Sequence, residues 1–560
     1  KKTTEINSWP VLGEDQHELA GNLRVMDDAD IGMIIASPLF YQTEGERTFT
    51  LSLELKSNPG FSLKKYISNF SQITKKREDT VIHELFSSAF RIEYTSTTGW
   101  EPIGLYTVMV DLEKQLKATL KIQFVLTPAH KAIDVFNTEM HELKCDSSFP
   151  MIRFSLNNFA EHHPYSFLRE TLLDRITINV KVRGFKALKM QNNIGPLSPV
   201  IPFQPFGPQP SVGSFLDIKN TNVFNRYTKD FSFDLEWLDL PRDKKGFEDY
   251  YKGYGVPYNN EIFKVGISAL HGGVFSPALQ LQQKFRLFNV KHNTEELVNK
   301  TTIEGVDFKL IEFLNKACLT DEVTVVDPYF KEGAVRLELS SPSEAFGHKL
   351  FPQVFPKTVL NNAKRFRKKL PLPNQPYIPV VKSISVDYEL EYSENFKNES
   401  SGDAISVQVF HCYPFGYQQI FPGSEKKNYY FMPQFEDAGN LCIGLTDVEP
   451  GSVLSLLFQM EEKNFHHTLH EPAVIKWSYL EANSWVELKG REVLLSDHTN
   501  NFINSGIVRL RMPSEIFTRN TVLSEGIFWL RASCEKLSAV QANVVAISTN
   551  GMTAVRMSEI

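Results

Sequence analysis

Three imidazoles and a carboxylate fall together in the stretch Phe465-His466-His467-Thr468-Leu469-His470-Glu471. Nitrogen and oxygen donors at such density could bind zinc, but the spacing that puts two histidines on one helix face is absent and Pro472 follows at once. A solvated polar loop is the expectation. The His-Glu-Leu triplets at His17, His83 and His141 also lack a second histidine four residues on, so these histidines are expected on the surface or at helix edges. No nucleophile elbow, phosphate loop or strand-linked dinucleotide fingerprint occurs, and sequence alone places no two carboxylates across a cleft. The residues therefore predict no catalytic, metal or cofactor site, and a protein that is not an enzyme.

The sharpest charge feature is the run Lys364-Arg365-Phe366-Arg367-Lys368-Lys369. Clustered cations, arginine above all, pair well with carboxylates, so Lys364, Arg365, Arg367, Lys368 and Lys369 are partner-contact candidates; a solvated connector end is the competing reading. The run precedes Leu370–Pro379, where Pro371, Pro373, Pro376 and Pro379 favour a stiff, extended strut holding the charges outward.

These residues must be carried by a large ordered chain. At 560 residues, 42% hydrophobic with 42 Phe and 19 Tyr, it exceeds what one core normally supports. Its 60 basic and 66 acidic residues give a net charge of -6, no general reason to bind phosphate backbones or anionic lipid. Cys145, Cys318, Cys412, Cys442 and Cys534 form no CxxC pair and read as reduced thiols of a cytoplasmic product. Apolar runs such as Ile122–Leu126 are far too short to span a membrane, and no apolar leader opens the chain. Beginning at Lys1 and ending at Ile560, it reads as a window on a longer protein.

Strict alternation dominates the patterning. Phe49/Leu51/Leu53/Leu55, Leu116 to Leu126, Ile176/Ile178/Val180/Val182, Phe231/Phe233/Leu235/Trp237 and Ile384/Val386/Tyr388/Leu390 all read as half-buried strands. Helical patterning is local: Ser62–Thr74, Glu78–Phe90, Tyr165–Leu173, Thr294–Leu314 and Lys357–Lys369. The predicted class is mainly β: several tandem antiparallel β-sandwich-like domains with short helical insertions and connectors. Proline clusters in Leu197–Pro210 and Leu370–Pro379 help set boundaries near 150, 295 and 375. The expected units are an N-terminal β domain (1–150), a β domain carrying the Pro-Phe-Gly-Pro segment (151–295), a mixed connector region (296–375) and a C-terminal sandwich region (376–560). Pro205-Phe206-Gly207 and Pro414-Phe415-Gly416 each precede a Gly-led strand pattern, which fits either a shared sandwich plan or turn chemistry common to β folds.

Three groups of motifs carry a resemblance. They are Ile35-Ala36-Ser37-Pro38-Leu39-Phe40 with Glu44–Leu51; Pro202–Pro210 with Gly213-Ser214 and Trp237-Leu238-Asp239-Leu240-Pro241; and, in order, Trp477-Ser478-Tyr479, Trp485–Leu488, Asp497–Asn500, Ser505–Val508 and Phe528–Ala532. Together they make the chain resemble the baseplate J-like wedge proteins of contractile tails and extracellular contractile injection systems. In the last group Trp477, Trp485 and Trp529 are expected to be buried, with Gly506 in a tight turn.

The resemblance implies a scaffold with no catalytic residues and no cofactor. Its implied partners are other baseplate wedge and hub subunits and sheath-proximal proteins, in a large symmetric assembly built in the bacterial cytoplasm, without nucleic acid or direct membrane insertion. The resulting phage-tail-like particle would be released or membrane-anchored. A carbohydrate- or protein-binding β-sandwich of adhesin type is the alternative, with scattered thiols and the missing leader against it.

Overall fold

The computed structural model describes residues 8–14, 26–58, 60–114, 117–311, 313, 333–364, 369–396, 407–420, 429–461, 473–490, 493–537, 541–552 and 554. The architecture is mainly β, built from antiparallel sheets with few helices.

All five alternating segments are strands over their described residues, and they are consecutive neighbours in one seven-stranded sheet. Its order is Lys300–Ile303, Thr228–Leu238, Val380–Asn395, Thr171–Phe185, Glu46–Ser57, Lys117–Leu126, Tyr106–Lys114. The pairing explains the alternation. Phe49, Leu51 and Leu53 lie opposite Phe124, Ile122 and Leu120 on one side and Val180, Ile178 and Ile176 on the other, and all are buried. Each such side chain contributes about 1.5–3 kcal/mol by leaving water, and the Phe49 and Phe124 rings stack at 5.1 Å. The strands of this sheet come from all four of the segments 1–150, 151–295, 296–375 and 376–560.

A second seven-stranded sheet, centred on Ala334–Ser341 and Lys264–His271, shares the main hydrophobic core with the first. A six-stranded sheet lies between core layers. Met33 and Ile35 of strand Gly32–Ala36 face the main core, while Ile34 and Ala36 face a smaller cluster with Phe136, Met151 and Phe410. Gly32 is obligatory there, because a Cβ would sit 2.2 Å from the Phe154 carbonyl oxygen.

The remaining core belongs to a C-terminal sandwich of a four-stranded and a five-stranded sheet. Phe458, Trp477 and Phe502 meet at its centre, with ring centroids 4.9–6.4 Å apart. The N-terminal strand Trp9–Pro10 completes the edge of its five-stranded sheet by pairing with Asn543 and Val544, and Val11 and Leu12 insert into this core.

Several local expectations need correction. Trp529 is half-buried, whereas Phe528 and Leu530 face the sandwich core, so the inward set is displaced by one residue, which exchanges the faces of a strand. Trp477 is buried and Trp485 half-buried. Gly506 permits close approach rather than a turn: a Cβ there would come within 2.4 Å of the His498 carbonyl oxygen. Thr294–Leu314 is not a helix in its described part; Leu297–Val298 and Lys300–Ile303 are strands, the Thr-Thr-Ile sequence pairing with Thr228–Leu238. The helix expected over Tyr165–Leu173 stops at Leu168, and Thr171 already opens the next strand. Leu63–Thr74 is helical within its expected span, with Ser62 as its cap accepting from the Lys65 amide, and the helix expected over Glu78–Phe90 ends at Phe86, since Phe90 opens a strand.

The proline-rich stretch 197–210 lies against the core, since Phe203 exchanges both backbone hydrogen bonds with Val381 and Phe206 is buried. Phe415 of the parallel tripeptide is 78% exposed, so the two Pro-Phe-Gly sequences place their rings oppositely.

Candidate interaction surface

The helix expected at Lys357–Lys369 runs instead over Phe351–Asn362. Pro352 suits its first turn, where the missing N–H has no helical partner to lose. At its other end the side chain of Asn362, the last helical residue, clasps the returning chain. Its Oδ1 accepts from the Leu370 amide and its Nδ2 donates to the Leu370 carbonyl, both at 2.8 Å. The described residues on either side of the cationic run, Asn362 and Leu370, are therefore tied together. Lys364 and Lys369, the two described residues of the run, are exposed. Arg365, Arg367 and Lys368 lie outside the described residues, as do His17, His466, His467, His470 and Cys318.

The segment after the run does not stand away from the body as a strut. It is a strap, held down by tyrosines of the stretch 250–254. Tyr250 and Tyr254 hydroxyls donate to the carbonyls of Gln375 and Asn374 at 2.9 and 2.6 Å, and the Asn374 amide donates back to the Tyr250 carbonyl. The Tyr251 hydroxyl accepts from the Tyr377 amide and donates to the Phe346 carbonyl. Burial pushes the Tyr251, Tyr254 and Tyr377 hydroxyls well above the usual phenol range, so they stay protonated as donors. Pro373 and Tyr377 face inward, whereas Leu370 and Leu372 are 49% and 55% exposed.

The helix buries little of itself. Thr358 is its one fully buried residue among those described, while Phe355, Val359 and Leu360 are 37%, 43% and 66% exposed. The stretch of sequence that contains it carries charge of one sign, although Glu344, Asp243 and Asp239 approach the tyrosines packed beside it. From residue 345 to 386 the sequence contains no Asp or Glu, yet it carries Lys349, Lys357, the cationic run and Lys382. Lys382 pairs with Glu236 at 2.7 Å, whereas Lys349 and Lys357 are exposed. This one-sided window was readable from the sequence; the Asn362 clasp and the outward leucines were not, because they depend on how the strap returns.

An open groove of ≈ 950 Å³ lies where the six-stranded sheet meets the C-terminal sandwich. Two ion pairs lie in its wall: Arg153 pairs with Glu93 at 2.7 Å and lies over the Trp100 ring, and Arg91 pairs with Asp30, while Glu142, Lys144 and Glu525 also line it. Burial pushes the Cys145 and Cys412 thiols up to about 12, which suppresses the nucleophilic thiolate, and the four described cysteines are free. Among the described residues no group of three or more His, Cys, Asp or Glu is arranged to hold a metal ion. His83 is exposed, whereas His141, the last residue of helix Thr138–His141 and so at a helix edge, is buried between the Trp100 and Phe136 rings and hydrogen-bonds Asn137. Nor is any helix among the described residues long and apolar enough to cross a membrane.

No curated protein matches the chain. The family model described as baseplate protein PVC11-like matches residues 169–559, a span holding the candidate surface, much of the central sheet and nearly all of the sandwich. The chain thus belongs to the PVC11-like family of baseplate proteins, components of contractile injection systems.

Proposed function

We propose that the chain is a wedge subunit of the J-like type, a non-enzymatic scaffold that builds the baseplate around a central hub and couples it to the sheath. Its partners in this reading are other wedge and hub subunits and sheath-proximal proteins, assembled in the bacterial cytoplasm. The observation that carries the reading is the family match over residues 169–559. The architecture of the molecule agrees with it: long-range strand pairing joins distant parts of the chain in one central sheet.

Deleting the gene and imaging the resulting particles tests the proposal. Sheath and tube should fail to assemble on complete baseplates, and the purified wild-type baseplate should contain this chain beside the hub. Complete, contractile particles in the deletion strain would overturn it.

A further inference from the structure

We infer that strand Gly439–Leu445, a terminal strand of the four-stranded sheet of the sandwich, accepts an extended, uncharged segment of another baseplate subunit as an added strand. The inference rests on the scaffold reading and adds how one partner attaches.

The backbone decides which groups are open. Gly439–Leu445 pairs with Phe528–Cys534 on one side, through seven consecutive residue pairs without a bulge. On the other side the Asn440 amide donates to the Leu12 carbonyl at 3.1 Å. Alternate residues of an antiparallel strand direct their N–H and C=O groups to the same side, so Cys442 and Gly444 present theirs where Asn440 does. Among the described residues no strand or backbone group pairs with these two on that side. An open edge is a template for another strand, and folded proteins ordinarily guard it with charge, proline, a bulge or brevity. Two terminal strands of the described sheets exceed five residues. Tyr106–Lys114 carries the exposed Asp111, whereas Gly-Asn-Leu-Cys-Ile-Gly-Leu has no charge and no proline.

The same flank identifies the kind of occupant. Ser8–Leu12 already lies along it as an extended peptide, pairing Trp9 and Pro10 with Val544 and Asn543 in the facing sheet and Leu12 with Asn440. Cys442 and Gly444 continue this interface. Leu441, Ile443 and Leu445 turn toward the core, and on the outer face the Trp529 ring reaches over Gly444, where a Cβ would come within 3.0 Å of the indole. An added strand lays its alternate side chains beside these two sets, so apolar residues complement it and charged ones do not. A second copy of the same edge fits less well. Antiparallel pairing of two copies centred on Cys442 would set each Gly444 opposite an Asn440 whose amide Leu12 already holds.

The full chain in assembled particles tests this. Cys442 is exposed, so alkylation of its thiol, mapped by peptide mass spectrometry, should be slowed about tenfold in particles relative to the free chain. A photo-reactive residue at Asn440, with the same residue at exposed Phe159 outside the sandwich as control, should give one dominant adduct, on an uncharged peptide of another subunit with alternating apolar residues. Cys442→Pro removes the outward amide and Cys442→Lys places a charge at the edge; each should cut the adduct about tenfold with melting unchanged, whereas Cys442→Ser should leave it at the parent's yield. If the proline variant unfolds, the lysine variant decides. Equal alkylation in particles and free chain, no adduct, an adduct on a charged peptide, or a yield indifferent to these variants would each overturn the added strand while the scaffold reading stands. An adduct joining two copies of Gly439–Leu445 would overturn it in favour of edge-to-edge pairing. Intact particles lacking the chain altogether would overturn both readings.

Discussion

The Nη2 of Arg47 donates at 3.0 Å to the carbonyl oxygen of Thr127, a residue 80 positions further along the chain. The same fully buried guanidinium also donates to the carbonyls of Gln42, His130 and Lys131. Its hydrogen bonds thus end on backbone oxygens, and burial lowers its pKa from the usual arginine value. Arg47→Ala should cost roughly 3–5 kcal/mol, because loss of the buried side chain leaves a cavity, the buried Gln42 carbonyl loses its partner and three part-buried carbonyls lose a charged donor. Urea denaturation measures the loss, and hydrogen exchange should show residues 127–133 losing protection first.

His411 makes the fold sensitive to acid. The ring is buried against the Tyr430 carbonyl at 3.0 Å, and desolvation lowers its pKa from 6.5 to about 4. The unfolded chain therefore binds the proton more readily, and stability rises with pH between about 4 and 6.5 and falls on acidification through that window. The loss attributable to this ring is roughly 3 kcal/mol. His411→Gln, which keeps a donor for Tyr430 but does not titrate, should lose correspondingly less stability than the parent between pH 7 and 4.

Two tryptophans should separate the faces of the sandwich. Trp477, 3% exposed, should cost roughly 3–5 kcal/mol when replaced by Ala. Trp529, on the outer face with its indole N–H donating to the Ser524 carbonyl, should cost clearly less when replaced in the same way. Equal losses in calorimetry would mean that the assigned faces are wrong.

Gly416 marks the seam between the six-stranded sheet and the sandwich. A Cβ at this position would lie 2.1 Å from the Thr521 carbonyl oxygen, which accepts the Tyr417 amide at 2.7 Å. Gly416→Ala should force the seam apart and expose it to limited proteolysis near Thr521. An unchanged digestion pattern would show that the seam accommodates the methyl group.

Much of this fold was legible as strands and little of it as pairing. Alternation at Phe49, Ile176, Phe231 and Ile384 located strands because half-burial leaves a period of two in the sequence. That all of them join one sheet left no local trace, since antiparallel registers such as Phe49 opposite Val180 are set by tertiary contacts. Trp529 shows the limit of patterning within a single strand: a large aromatic on the outer face, beside Phe528, suggests the wrong parity. At the candidate surface, charge was visible in Lys364–Lys369, whereas the strap was not. Proline spacing announced an extended segment, but the hydroxyls that hold it come from Tyr250 and Tyr254, more than a hundred residues earlier.

The order of strands in the central sheet has a consequence for biosynthesis. Thr171–Phe185 finds its neighbour Glu46–Ser57 already made, but its other neighbour, Val380–Asn395, leaves the ribosome about 200 residues later. At translation speeds of about 5–20 residues per second, the edge carrying Ile176, Ile178, Val180 and Val182 stays open for roughly 10–40 s on every nascent chain. Production of this protein should accordingly depend on chaperones that shelter an unfinished sheet, and slower translation should raise its aggregated fraction.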